Sequence, residues 1–223
     1  MNNHYNHAEI IGRLHGEINA VINNHGDTIF DGTLAVQRQS GACDYLPISI
    51  PAELFGGVPG KTMCSMIKVT DLYGHHLRLR GEVRSYNKEV QGKSRHYTTL
   101  LVKEIGDADK PTDDNNVELQ GVICRTPVYR ETPFGREICD FMIAVNLTGD
   151  RCAYIPCICW SRTARDISAK EVGTLVRLRG RFQSREYQKV LENGSVETRK
   201  THEVSCKYVD VVKVVEEWAT GSV

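Results

Sequence analysis

Residues 152–160 read CAYIPCICW, three cysteines, two aromatics and a proline in nine positions. Residues 43–51 read CDYLPISIP. Laid over each other, Cys43 meets Cys152, Tyr45 meets Tyr154 and Pro47 meets Pro156, each pair 109 positions apart. The same offset pairs Asp31 with Asp140, Ala35-Val36 with Ala144-Val145, and EIIG (9–12) with ELQG (118–121). LRLRG (77–81) matches VRLRG (176–180) at an offset of 99, so the first copy holds ten extra residues in between. A period this long marks a duplicated domain rather than a solenoid. The polar, acidic GDADKPTDDNN (106–116) reads as the linker. The expected division is a first domain over 1–105, a linker over 106–116, a second domain over 117–216 and a short tail over 217–223. Each domain has about 100 residues, a usual size for a small one.

Copy two reads as strands. NVELQGVI (116–123) alternates apolar and polar residues with a period of two. ETPFGRE is a turn by its Pro and Gly. CDFMIAVNL (139–147) and RCAYIPCICW (151–160) are two more strands, separated by the turn TGD. TARDISAKEV (163–172) puts Ala164, Ile167, Ser168 and Val172 at helical spacing. TLVRLRGRF (174–182) alternates again, and a long hairpin follows with Asn193-Gly194 suited to a type I′ turn. Strand, strand, strand, helix, strand, strand is the order of a five-stranded Greek-key barrel, the OB-fold. The expectation is an all-β chain of two tandem OB-folds, each with one short helix.

Strand parity sorts the cysteines from the aromatics. Ile155, Cys157 and Cys159 share one small, apolar face suited to a barrel core. Tyr154, Pro156, Ile158 and Trp160 share the other. In VRLRGRFQSREY (176–187), Val176, Leu178, Gly180 and Phe182 point inward, and Arg177, Arg179, Arg181, Arg185 and Tyr187 outward. Exposed rings among cations suit a single nucleic-acid strand, because cations track phosphates while rings stack on bases. In copy one, Tyr45, Arg78 and Arg80 stand where copy two has Tyr154, Arg177 and Arg179.

Composition excludes several alternatives. The chain is 40% hydrophobic and 25% charged with zero net charge, so no strongly basic arm exists. Residues 1–114 hold 12 Lys and Arg against 14 Asp and Glu, and residues 115–216 hold 16 against 13. Copy two is thus the better partner for an anion. There is no apolar run of about 18 residues, so no membrane association is expected. MNNHYNHAEI lacks a secretory pattern, so the cytoplasm is the expected compartment and the eight cysteines are expected as thiols. Cys157-x-Cys159 lacks the spacing of paired zinc ligands, and no metal is expected. His75-His76 reads as a solvated pair before a strand. GGVPGKT (56–62) ends like a phosphate-binding loop, but the required first glycine falls on Phe55. No cofactor and no catalytic activity are expected. Trp218, in the tail, reads as packed against a barrel.

With these motifs in order, copy two resembles the bacterial single-stranded DNA-binding protein (SSB) family along nearly its whole length. NNVELQG, TPFG, FMIAVN, CICWSRTARDI and GTLVRLRGRFQSREY follow the family's succession of strand, turn, strand, strand-helix and strand. The resemblance implies sequence-tolerant binding of single-stranded DNA in replication, recombination or repair, without catalysis. It implies stacking by Tyr154, Trp160 and Tyr187, and assembly into a four-OB unit, here a homodimer of tandem chains. Replication or recombination proteins are the implied protein partners. The bearer would be a bacterium, phage or mobile element. Copy one departs from the pattern, with Pro51 in place of Trp160 and either Lys88 or Tyr86 near the Tyr187 position. The family's acidic tail has no counterpart in VVEEWATGSV (214–223). The alternative reading is a primosome-type assembly factor whose OB faces bind protein.

Overall fold

Two rings of strands account for most of the described residues. The computed structural model describes residues 5–23, 26–55, 72–90, 92–108, 112–148, 151–190 and 194–212. The first ring contains β1 (Asn6–Leu14), β3 (Thr28–Gln37), β4 (Cys43–Pro51), β5 (Leu77–Val90) and β6 (Lys93–Asp107), with a short β2 (Asn19–Ile22) beside β3. The second contains β7 (Asp114–Glu131), β8 (Glu137–Leu147), β9 (Arg151–Trp160), β10 (Leu175–Val190) and β11 (Val196–Val211), with α1 (Ser161–Ser168) after β9. In the first, β1 pairs with β3 and β5, β3 with β4, β5 with β6, and β4 closes on β6 in parallel. In the second, β7 pairs with β8 and β10, β8 with β9, β10 with β11, and β9 closes on β11 in parallel. Both are five-stranded closed barrels with the OB connectivity, as the duplicated sequence predicts.

The repeated glycines have a steric cause. β6 and β11 are each bulged by one residue, opposite Arg80-Gly81 of β5 and Arg179-Gly180 of β10. A Cβ at Gly81 would lie 2.1 Å from the Leu101 carbonyl oxygen, and one at Gly180 would lie 2.2 Å from that of Ser205. Only a bare backbone fits there. The barrel interiors are filled as parity predicts: Ile155, Cys157, Cys159, Val176, Leu178 and Phe182 are all buried.

Three local expectations change. Ile158, placed outward by parity, is 1% exposed. It lies at the parallel closure of the barrel, paired with Asp140 on one side and Ser205 on the other. The helix covers 161–168 rather than 163–172. Ala164 and Ile167 anchor it, whereas Val172 is exposed in the turn that Gly173 (φ +97°) closes. β7 runs on past residue 123 to Glu131, with two register shifts between Ile123 and Val128 that accommodate Pro127. In copy one, Ala52–Leu54 forms a 3-10 turn after β4. Residues 56–71 of that connection, including GGVPGKT, lie outside the described residues, as do Asn193 of the hairpin turn and Trp218. Gly194 has the left-handed φ of +80°.

The barrels share one continuous sheet through antiparallel β1 and β7. Ala8 pairs with Val117, its own counterpart at the 109 offset. The joint is therefore an approximate two-fold centred on that pair. Two further contacts repeat across it. The Tyr45 N–H donates to Ser184 Oγ (3.2 Å), and the Tyr154 N–H donates to Ser85 Oγ (2.8 Å). His202 Nε2 donates to the Tyr45 carbonyl (3.1 Å), and His96 Nε2 to the Tyr154 carbonyl (2.8 Å). One side adds a polar clasp without a twin. Asp44, 1% exposed, accepts from Arg38 Nε (2.6 Å) and from the Ser184 N–H (2.9 Å). Position 153, the counterpart of Asp44, is alanine.

Burial, and then Lys200, push the His202 imidazole below its ordinary value, against the pull of the Tyr45 carbonyl. The unfolded chain therefore binds a proton that the folded chain resists. Stability from this group is present above about pH 6.5 and falls as pH drops through that value toward the lower folded one. Thermal unfolding between pH 7.5 and 5.5 should show a smaller loss of Tm for His202→Gln than for the parent chain.

Candidate nucleic-acid interface

Trp160 ends β9 at the rim of the second barrel. Its own backbone is extended (φ −129°), and the next residue, Ser161, takes a left-handed φ of +51°. A non-glycine residue there costs about 1–3 kcal/mol. The turn it makes starts α1 and leaves the indole 37% exposed. The ring lines a groove of about 730 Å³ together with Arg179, Arg181, Lys207 and Tyr208 and with Asp114 and Glu118. Arg179 lies 5.8 Å from the Tyr208 ring centre, and Lys207 Nζ lies 5.3 Å from it. Arg179 pairs with Tyr208 and Gly180 with Cys206, so Lys207 is the extra residue of the bulge. A bulge re-aims a side chain, and here it adds a cation to the groove. Arg181 Nη2 donates to Gln183 Oε1 (3.2 Å), and burial, then Arg38, pull its guanidinium below the ordinary value. A half-desolvated cation beside another cation favours an anion in contact with it.

Tyr187 lies in a second groove, of about 340 Å³, with Arg185, Arg125, Met142, Pro156 and Asp140. Arg185 is held there by Glu203, which is 3% exposed, through bonds of 2.9 and 3.0 Å, and by Asp140 at 3.9 Å. These bonds fix its plane beside Tyr187. Tyr154 is 49% exposed on the same strand as Pro156 and Trp160. Six residues of strand separate Tyr154 from Trp160, about 20 Å. Rings and cations are thus distributed along one side of β9 rather than gathered at a point.

The remaining residues singled out from sequence stand elsewhere. The Arg177 guanidinium stacks 3.9 Å from the Tyr5 ring centre and pairs with Glu118 at 3.7 Å, beside the β1–β7 joint. Arg80 is held between Glu9 and Glu104. Arg78 is half-buried in β5, opposite Ile11 of β1. Tyr45 is 36% exposed, with its ring against His15 (4.7 Å) and Lys200 (5.3 Å). Lys207, Tyr208 and Arg125 escaped sequence reasoning. The adjacent cation and ring in SCKYVDV were the available signal, but their face depends on the bulge.

The thiols on the inner face of β9 do not form a reactive site. Burial, the main cause, raises the Cys157 and Cys159 thiols far above their ordinary value, and neighbouring thiols add to it. Such groups stay protonated and unreactive. No cluster of three or more His, Cys, Asp or Glu suited to a metal exists among the described residues, and no helix among them is long and apolar enough to cross a membrane.

The two units are OB barrels whose outer strands carry rings and cations, an architecture that in general takes oligonucleotides or oligosaccharides. Residues 114–212 match the model of the Single-strand binding protein family. Single-stranded DNA-binding protein A of Bacillus subtilis is 36% identical over 81 residues, covering 33% of this chain and 47% of that protein. Single-stranded DNA-binding protein 1 of Lactococcus lactis is 37% identical over 82 residues, covering 33% and 54%. The chain thus spans about half the length of these relatives. Over nearly the full length the fold is similar to that of the single-stranded DNA binding protein from Thermus aquaticus. A deletion mutant of that protein superposes with a TM-score of 0.70 and 19% identity, over 96% of this chain and 97% of the other.

Proposed function

We propose that this chain binds single-stranded DNA with little sequence preference and without catalysis, in replication, recombination or repair. The observation that carries the reading is the Trp160 groove, which a partly exposed indole lines together with Arg179, Arg181 and Lys207. Trp160, Tyr187 and Tyr154 stack on bases spaced along the bound strand. Arg179, Arg181 and Lys207 take phosphates, while Arg185 steadies Tyr187. The domains act as units over 1–105 and 117–216, and the chain works in the cytoplasm. Two chains assemble to present four barrels, and replication or recombination proteins are the protein partners.

Trp160 is one of two tryptophans, so fluorescence reads its stacking. Titration with an oligothymidylate of about 35 residues should quench the emission strongly at low salt. Affinity should fall as salt rises, with a slope of about −0.7 per phosphate neutralised. An absence of both quenching and binding would sink the reading and favour a protein-binding role for the OB faces.

A further inference from the structure

The strand pairs β5–β6 and β10–β11 extend from the two barrels as matching arms, and their outer rungs can be compared position by position. Ser85 corresponds to Ser184 by the 99 offset, and each bonds the tyrosine backbone of the opposite barrel. The next two rungs on the other face of the second arm are Arg185 opposite Thr201 and Tyr187 opposite Arg199. In the first arm the matching rungs are Tyr86 opposite Tyr97 and Lys88 opposite Arg95. Ring and cation have therefore changed places. The aromatic rung stands two residues nearer the barrel in copy one, and the cationic rung stands outside it.

Tyr86 and Tyr97 stack in near-parallel planes, 5.6 Å between centres and 17° apart, and Tyr86 is 47% exposed. A ring supported from behind by another ring presents a flat, rigid face at small entropic cost. The outer rung sets two cations directly opposite each other, an arrangement that repels. Among the described residues neither Lys88 nor Arg95 has an acidic partner, whereas Arg199 is held by Glu197 at 2.7 Å. A phosphate beside the stacked pair resolves the repulsion. The arm also adjoins the site already described, because its other face holds the Tyr154 backbone through Ser85 and His96.

We infer that the first barrel is itself a binder of single-stranded nucleic acid, with Tyr86, backed by Tyr97, stacking on a base and Lys88 and Arg95 taking the adjoining phosphates. The inference rests on the function proposed above and supplies its missing half. Copy one lacks counterparts of Trp160 and Tyr187, yet it has a platform in a shifted register.

The test uses the full chain and the same oligothymidylate. Tyr86→Trp is introduced together with Trp160→Phe and Trp218→Phe, so that emission reports the first arm alone. Quenching of this variant on titration supports the inference. A silent variant, beside a parent chain that is quenched, overturns it and leaves the wider reading standing. A parent chain that neither quenches nor binds overturns both. As an independent readout, Tyr86→Ala should weaken binding of the 35-mer about 5- to 150-fold. Lys88→Glu with Arg95→Glu should reduce the magnitude of the salt slope by about 1.4. Unchanged affinity and slope would count against the platform.

Discussion

Replacing Trp160 and Tyr187 together by alanine is expected to weaken oligothymidylate binding by at least 30-fold. Each base stacked on an aromatic ring is worth about 1–3 kcal/mol, so two rings remove about 2–6 kcal/mol. The lower bound corresponds to roughly 30-fold. The two rings lie in different grooves, so their losses should be close to additive. Both side chains are more than a third exposed and lie outside the barrel core, so their loss opens no core cavity. A competition assay with labelled oligonucleotide measures the effect, since Trp160 is no longer available as a probe. Trp160→Phe with Tyr187→Phe keeps both ring faces and should recover most of the affinity. If the alanine pair binds as the parent does, these rings are not the stacking platform.

Asp44→Ala should lower the stability of the folded chain by about 3 kcal/mol, read by urea denaturation. Removing one member of a buried ion pair typically costs about 3–5 kcal/mol, because the other charge loses its partner. Arg38 keeps a quarter of its side chain in water, which places the cost at the low end. The Ser184 N–H and hydroxyl lose an acceptor as well. The twin positions of Arg38 and Asp44 are Leu147 and Ala153. Arg38→Leu with Asp44→Ala removes both charges together and should therefore cost less than Asp44→Ala alone. A single variant as stable as the parent would show that the clasp does not hold the barrels together.

The duplication was legible in the sequence because the turns and bulges demand the same small residues twice. Gly81 and Gly180 recur since a carbonyl oxygen occupies the place of a Cβ in both barrels. Parity worked along β9 and β10 wherever one face meets the core and the other meets water. It failed at Ile158, where the closure of the barrel onto β11 buries the outer face too. Closure is a long-range event with no local periodicity. The helix was read too long because Val172 continues the spacing of Ile167, although the chain has already turned toward Gly173.

Exposure of Tyr154, Trp160 and Tyr187 could be read from alternation, but the grooves they enter could not. Arg185 and Arg179 lie on one face in sequence, yet one is bound to Glu203 and the other flanks Trp160. That difference depends on the register of β11, which sets Glu203 diagonally beside Arg185 and Tyr208 opposite Arg179. Lys207 enters the Trp160 groove through a bulge of one residue, and a pattern of period two cannot register an extra residue. Tyr86 and Tyr97 lie eleven positions apart, and their stacking follows from the register of the hairpin.

The pairing of Ala8 with Val117 carries a consequence for polarity. A nucleic-acid strand has a direction, and a two-fold between barrels reverses direction. If both barrels seat the strand in the same sense relative to their own β-strands, the 5′→3′ course over one runs against that over the other. A single strand that occupies both halves must then double back between them. The chain would fold its ligand into a hairpin-like path, and the stretch that crosses the joint would set the shortest length able to bind at full strength.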